Sequence, residues 1–402
     1  MVASPQHTTK QLSDLYAPRA RDLAPPMYGA AQQGRAAPIS LAFGLADPTL
    51  FPTQELAEVT AEVLAERPDT ALNYGPTSPE LYEQISERLQ RQGIAATREQ
   101  VLVSHGSGQL LGLLPEVLVS PGDTVIIEGP SFLGAVRRFE IAGAKIVTIP
   151  VDADGMDIDA LEEKLAELAR QRIRPKFIYT IPTFQNPTGT TMSLDRRRRL
   201  VALAATYGVL VVEDDAYSEL AFDGSSVTTL ASIDTEGWVV RVGTYSKILA
   251  PGVRLGWASG PSELIKRLAM VKVEGENGPF VTHVVSRFSA DGRLDRHIAQ
   301  LRERYRHKCQ VMLAAIEREF PAEVQLYRPE GGFFLWCTLP QGVSAARLLD
   351  LSEERGVSFL TGSRCYCNGQ GDDSIRLAFS YHSPEQIAEG IGVIGQAMRE
   401  LW

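Results

Sequence analysis

Between residues 101 and 243 short apolar runs rich in Val and Ile alternate with segments of helical spacing. The runs fall at 101–104, 124–128, 145–150, 176–180, 209–213 and 238–243, and helical patterns occupy 109–119, 133–142, 158–170 and 194–207. Continuous apolar runs mark strands buried on both faces. Their alternation with helices specifies an α/β fold around a mostly parallel, doubly covered sheet. The texture differs on either side. Residues 1–38 are rich in Pro, Ala and Arg without clear period and read as an arm. From Pro52 a helix is expected with Leu56, Val59, Val63 and Leu64 on one face, then turn signals at 73–79 and a second helix through Arg91. After about residue 290 a long charged helix (294–319) precedes short strands at 332–339, 357–360 and 374–379 and a final helix, which reads as a smaller α+β lobe. The expected division is an arm (1–38), an N-terminal part of the small domain (39–75), a large domain (76–290) and the rest of the small domain (291–402).

Composition narrows the function classes. Hydrophobic residues make up 44% of the 402, enough for a large core. A net charge of −9 gives no electrostatic reason to expect nucleic acid or an anionic membrane as partner. Cys309, Cys337, Cys365 and Cys367 form neither a disulfide framework nor a zinc pattern. The longest strongly apolar stretch, 200–212, is 13 residues, short of the roughly 18 a membrane span needs. The N-terminus lacks the basic and apolar regions of a signal peptide. A reduced, cytoplasmic enzyme is expected.

Four motifs carry chemistry. The first, Val103-Ser-His-Gly106-Ser107-Gly108-Gln109-Leu-Leu-Gly112, lies between a strand and a helix, where free N–H groups and the helix dipole bind anions. With Glu128 about 20 residues on, it also admits a dinucleotide reading, although the last glycine is one place late. A ligand-free tight turn is the third possibility. The second motif, Gln185-Asn186-Pro-Thr-Gly189, is by itself a turn. The third, Glu213-Asp214-Asp215-Ala-Tyr217, puts three acids at the carboxyl end of a strand, where α/β sheets bind ligands. The fourth sets Lys247 among Thr244 and Ser246, with Pro251-Gly-Val-Arg254 following.

In this order and spacing the four motifs resemble the pyridoxal-phosphate-dependent class I/II aminotransferase family, nearest its α-aminoadipate and kynurenine aminotransferase-like branch. The resemblance runs from about Ile39 to the C-terminus. It implies a three-layer fold type I architecture, an internal aldimine on Lys247, and a homodimer with shared active sites. Lys247 would also carry the proton between substrate and cofactor. Asp214 would face the pyridine nitrogen, with Tyr217 and Asn186 donating to the ring's phenolic oxygen. Phe132 would stack on the ring. Ser107, the Gly108 backbone and Gln109 would hold the phosphate, and Arg254, Thr244 and Ser246 would complete its cup. Arg376 would grip the substrate α-carboxylate, beside Asn186 and Gly44. Tyr74 would reach the neighbouring subunit's phosphate.

The chain departs from the family where substrate is chosen. Thr77 and Tyr82 flank Pro79-Glu-Leu81, and the segment 272–278 carries Glu274 and Glu276. These two acids, expected near the partner's site, predict a substrate with a cationic or neutral distal group. They also leave open a specialised enzyme on the same cofactor, catalysing β/γ-elimination or replacement, cyclisation or C–C bond formation on a cationic or S-adenosylmethionine-like substrate. Two other classes fit less. A regulator's sensory domain would follow a DNA-binding domain, for which the 38 residues before Ile39 are too few. A nicotinamide oxidoreductase leaves Lys247, Asp214 and Tyr217 without a task. The run Arg196–Arg199 reads as a solvated helix face, and His105 has no visible partner.

Overall fold

The computed structural model describes residues 12–17, 19, 38–273 and 275–402. Eight strands form the central sheet: β2 (Val101–Ser104), β3 (Thr124–Gly129), β4 (Lys145–Asp152), β5 (Gly155–Met156), β6 (Phe177–Thr180), β7 (Leu210–Asp215), β8 (Val239–Thr244) and β9 (Gly256–Ser259). Their spatial order is β2-β9-β8-β7-β6-β3-β4-β5. The inner run from β8 to β4 is parallel, while β9 and β5 run antiparallel to their neighbours.

Strand alternation sends side chains to two separate cores. Ile127, Tyr179, Val212 and Val242 pack against Leu110, Leu114 and Phe139, from the helices Ser107–Leu118 and Leu133–Ile141. Ile126, Ile178, Val211 and Val239 pack against Leu161 and Leu165 of Ile158–Arg170 and Leu200 and Ala204 of Leu194–Tyr207. Both faces are therefore covered, as the continuous apolar runs required.

The C-terminal lobe has a four-stranded antiparallel sheet, ordered β10 (Gln325–Leu326), β11 (Phe334–Thr338), β14 (Ser374–Ala378), β13 (Leu360–Thr361). The 27-residue helix Arg293–Glu319 and the helix Pro384–Leu401 pack on it through Met312, Ile316, Ile391 and Ile394. Strand β1 (Ile39–Ser40) pairs in parallel with β12 (Val357–Ser358), joining the segment after the arm to this lobe.

Three expectations change. The strand expected over 357–360 is two short strands in different sheets. Leu64 is exposed, and Val59 and Val63 carry the buried face of Thr53–Glu66. Arg197 is 1% exposed rather than solvated. Its Nε donates to Met192 O at 2.8 Å and Nη2 to Thr183 Oγ1 at 2.9 Å, so it pins both ends of the loop that carries Asn186. Its neighbours Arg196 and Arg199 do lie outward, paired with Asp152 and Asp159.

Candidate active site

The site opens at the carboxyl ends of β6, β7 and β8, and the alternation of β7 sorts its three acids. Glu213 and Asp215 point away from the cavity. Glu213 accepts the Leu230 and Ala231 N–H groups at 2.8 and 3.0 Å, and Asp215 pairs with buried Arg241 and accepts from Ser218. Asp214 points into it and is 5% exposed. Its one hydrogen-bond partner among the described residues is the Tyr179 hydroxyl, 2.6 Å from Oδ2. Burial against this single neutral donor pushes its pKa up to about 7. A carboxylate held this way lacks a cation.

Ser107 opens the helix Ser107–Leu118 at the other end of the cavity. A Cβ on Gly256 would lie 2.5 Å from the Ser107 nitrogen, so β9 approaches this turn only as glycine. Two guanidinium groups converge on the same turn. A Cβ on Gly106 would lie 2.8 Å from Arg254 Nη2, and one on Gly108 would lie 3.2 Å from Arg138 Nη2. Gly108 and Gly112, one helical turn apart, leave the groove along which the Arg138 stem runs. Burial and the neighbouring Arg254 charge both lower the Arg138 pKa. Two arginines beside the free N–H groups of a helix start make a site for a dianion. Arg138 escaped the sequence reading, and the Gly108/Gly112 spacing was its trace. The dinucleotide reading fails at the same place. Gly112 serves Arg138, and Glu128 is buried and occupied by Thr180, Ile181 N–H and Gln185.

Thr244 and Ser246 border this end, with 3.0 Å between their hydroxyl oxygens, and Thr244 lines the cavity. Gln109 is not among the residues that line the cavity. Its Oε1 accepts the His105 N–H at 2.9 Å, and its own N–H is bonded to Gly106 O. His105 itself is exposed.

Lys247, Arg376 and Asn186 meet under the segment that follows β1. Lys247 Nζ donates to Gly44 O at 2.9 Å, and Arg376 donates to Ala42 O and, at 2.7 Å, to Asn186 Oδ1. Burial, with the Arg376 and Arg254 charges, brings the Lys247 amine down to about 8. Lys308 Nζ, buried, ties Asp47 of the same segment to Ser380 O. Phe132 and Tyr217 supply aromatic walls. A Cβ on Gly134 would overlap the Phe132 ring, so glycine there sets the ring's position. Tyr217 stacks edge-on against Phe333 and Phe334.

Three residues are expected at the neighbouring subunit's site and not at this chain's own. Tyr74 is fully exposed, away from this chain's cavity. Glu276 does not line this chain's cavity, and its carboxylate accepts the Thr77 hydroxyl at 2.8 Å. Glu274 lies outside the described residues. The four cysteines are free, and Cys365 lines the cavity with its thiol pushed up to about 11 by burial.

The cavity fits pyridoxal phosphate on three counts: a buried carboxylate without a cation for the ring nitrogen, a two-arginine helix start for the phosphate, and a lysine amine between them. Comparison with known proteins agrees. The profile of the family described as "Aminotransferase class I and II" matches residues 39–394. Aromatic-amino-acid aminotransferase 1 of Thermococcus litoralis is 37% identical over 90% of this chain and 88% of its own. The 2-aminoadipate transaminase of Thermus thermophilus is also 37% identical, over 90% of each chain. The crystal structure of Pyrococcus horikoshii kynurenine aminotransferase, a complex with PMP, superposes with a TM-score of 0.92 at 34% identity, covering 96% of this chain and 97% of that one. These likenesses support amino transfer and not the elimination, replacement, cyclisation or C–C bond formation considered above. The chain belongs to the class I and II aminotransferase family and is a pyridoxal-phosphate-dependent aminotransferase of fold type I.

Proposed function

We propose that the enzyme removes the α-amino group of an L-amino acid with Lys247, Asp214 and Arg376 as its working residues. The observation that carries this reading is their meeting in one cavity, with Asp214 buried against nothing but a phenol. Bound pyridoxal phosphate supplies the carbonyl that captures amines and the electron sink that accepts the Cα electrons. Arg376 exchanges Ala42 O for the substrate carboxylate and fixes Cα by a two-pronged grip. The Lys247 amine, with its pKa brought down to about 8, would take the proton from the substrate Cα and give it back on the far side of the amino nitrogen, two atoms away. Asp214 would face the ring nitrogen, and a protonated nitrogen there would give the buried carboxylate the cation it lacks. Asn186 and Tyr217 would steady the ring's oxygen, Phe132 would cover its face, and Arg254, Arg138, Ser107, Thr244 and the Gly108 backbone would hold its phosphate.

The working unit in this reading is a homodimer in the cytoplasm. Leu72, Tyr74, Met270 and Val273 are all exposed. The Thr77–Glu276 bond sets the segment of Leu72 and Tyr74 beside the loop that follows Met270 and Val273. A partner covering these groups would bury them and receive Tyr74. Four free thiols suit a reducing compartment. Among the described residues no helix is long and apolar enough to cross a membrane.

The test is a half-reaction. Protein loaded with pyridoxal phosphate and given single amino acids without an oxo acid should form stoichiometric 2-oxo acid, read by mass. Borohydride reduction should fix the cofactor on Lys247, and Lys247→Ala should lose both signals. No oxo acid from any amino acid, or a label on another lysine, refutes the reading.

A further inference from the structure

Lys308 stands on the buried stripe of the helix Arg293–Glu319, among Leu301, Tyr305, Met312 and Ile316. An ammonium there gives up hydration that an apolar side chain at the same place would not. Nothing in the reaction above uses its charge. We propose that Lys308 is a positioning residue of the active site: through Asp47 it fixes the segment 42–47, whose carbonyls hold Arg376 and Lys247 in place while the cavity is empty. This inference rests on the aminotransferase reading, which gives those two cations their tasks.

Residues 41–47 belong to no helix or strand, so the segment is placed by what grips its two ends. At the first, the Leu41 N–H donates to Ser358 O at 2.7 Å and the Ala378 N–H donates to Leu41 O at 2.8 Å, which hangs that end on the small lobe's strands. At the second stands Asp47. Its Oδ1 accepts the Thr49 N–H at 2.8 Å and caps the turn Pro48–Leu50. Its Oδ2 accepts from Lys308 Nζ at 2.5 Å. Lys308 also donates to Ser380 O at 3.0 Å, and the Ser380 hydroxyl donates to Leu45 O at 2.7 Å. Lys308, Asp47 and Ser380 are all buried. One ammonium, with three hydrogens to give, therefore joins the long helix, the segment and the chain leaving β14.

The working contacts lie between these two ends. Arg376 donates to Ala42 O, and Lys247 Nζ donates to Gly44 O at 2.9 Å. A Cβ on Gly44 would overlap the Phe334 ring, and the Arg376 guanidinium lies 4.3 Å from the centre of that ring. A shift of the segment would therefore reach Arg376 twice, through the carbonyl and through the ring. Arg376 and Lys247 are like charges in one cavity, and carbonyls two residues apart give each its own acceptor. The substrate carboxylate then replaces Ala42 O on a guanidinium that is already aimed, and its binding does not have to order that side chain.

The experiment compares wild type, Lys308→Arg and a paired variant carrying Asp47→Leu and Lys308→Met. Removing the ammonium alone would strand a buried carboxylate, whereas replacing both partners by apolar groups leaves no charge to bury and should keep the urea midpoint near the wild-type value. With pyridoxal phosphate bound and the amino acid that wild type turns over fastest, the paired variant should raise KM about tenfold, which is about 1.4 kcal/mol, and keep kcat within about threefold. Lys308→Arg, a cation with donors for the same acceptors, should recover most of the loss. In the full-length cofactor-free protein, phenylglyoxal should modify Arg376 about tenfold faster in the paired variant than in wild type, read by peptide mass, because a slack segment no longer holds the guanidinium. A paired variant with wild-type KM, or with wild-type labelling of Arg376, overturns the assignment. So does one that fails to fold, since the pair would then serve the fold alone. A wild type that forms no oxo acid from any amino acid refutes amino transfer and not the clamp, which the labelling rates then decide.

Discussion

Replacing Asp214 by Asn should stabilise the cofactor-free protein at alkaline pH, although it damages the enzyme. Burial raises the Asp214 pKa from 3.8 to about 7 in the folded chain. A carboxyl with a raised folded pKa contributes fully below its unfolded value and loses that contribution as pH rises through the folded one. Three units at about 1.4 kcal/mol each put the penalty for ionising Asp214 at about 4 kcal/mol above pH 7. At pH 5 only about 1.6 kcal/mol of it has developed, because the folded carboxyl is still protonated. Asn keeps the acceptor for the Tyr179 hydroxyl and has no charge to bury. The assay is urea denaturation of cofactor-free wild type and Asp214→Asn at pH 5 and pH 8. The difference between the two proteins cancels every other titrating group and should widen by about 3 kcal/mol in favour of the variant. With cofactor bound the order reverses, since the ring nitrogen supplies the missing cation and Asn cannot pair with it. A gap that is constant between pH 5 and pH 8 refutes the claim that Asp214 is a buried acid without a cation.

Arg138→Gln should weaken cofactor affinity about tenfold, one charge-assisted contact's worth, and an equilibrium dialysis value equal to wild type would remove Arg138 from the phosphate end. Gly44→Ala would drive a Cβ into the Phe334 ring, so it should cost about 1–3 kcal/mol in thermal or urea unfolding and raise KM by shifting the carbonyl that Lys247 touches; unchanged stability and KM would show that the segment yields freely. Mixing inactive Tyr74→Phe and Lys247→Ala subunits should restore part of the activity if sites are shared across a dimer, and sedimentation of a fully active monomer would contradict the shared site.

The sheet was legible because its strands are long apolar runs separated by amphipathic helices, and the ends of 158–170 and 194–207 coincide with the observed helices. Strand β9 was not. It has four residues, begins with Gly, and takes its place only because Gly243 across from Trp257 leaves room for the indole. Such a strand is defined by its neighbours and not by its own pattern. The site motifs were legible where chemistry needs fixed spacing, as with Lys247, Arg254 and Asp214. Arg197 was misread because four successive arginines suggest a wet surface. Its spacing to Leu200, Val201 and Ala204 already placed it on the buried face. Arg138 was missed because it reaches the Gly108 turn from a helix that only the folded chain brings beside it.

The three acids of β7 make the strand self-checking. Glu213 fits the N–H groups at the helix start of Leu230 and Ala231, and Asp215 fits Arg241 on the adjacent strand. A slip of β7 by one residue would exchange its two faces. Asp214 would then be the single acid on the face that holds both that cap and Arg241, so one of the two would go unmatched, while Glu213 and Asp215 would turn to the cavity face. Each misplaced charge is penalised by several kcal/mol. The flanking acids thus work as a key cut on both sides of one tooth, admitting only the register that leaves a single carboxylate for the cofactor.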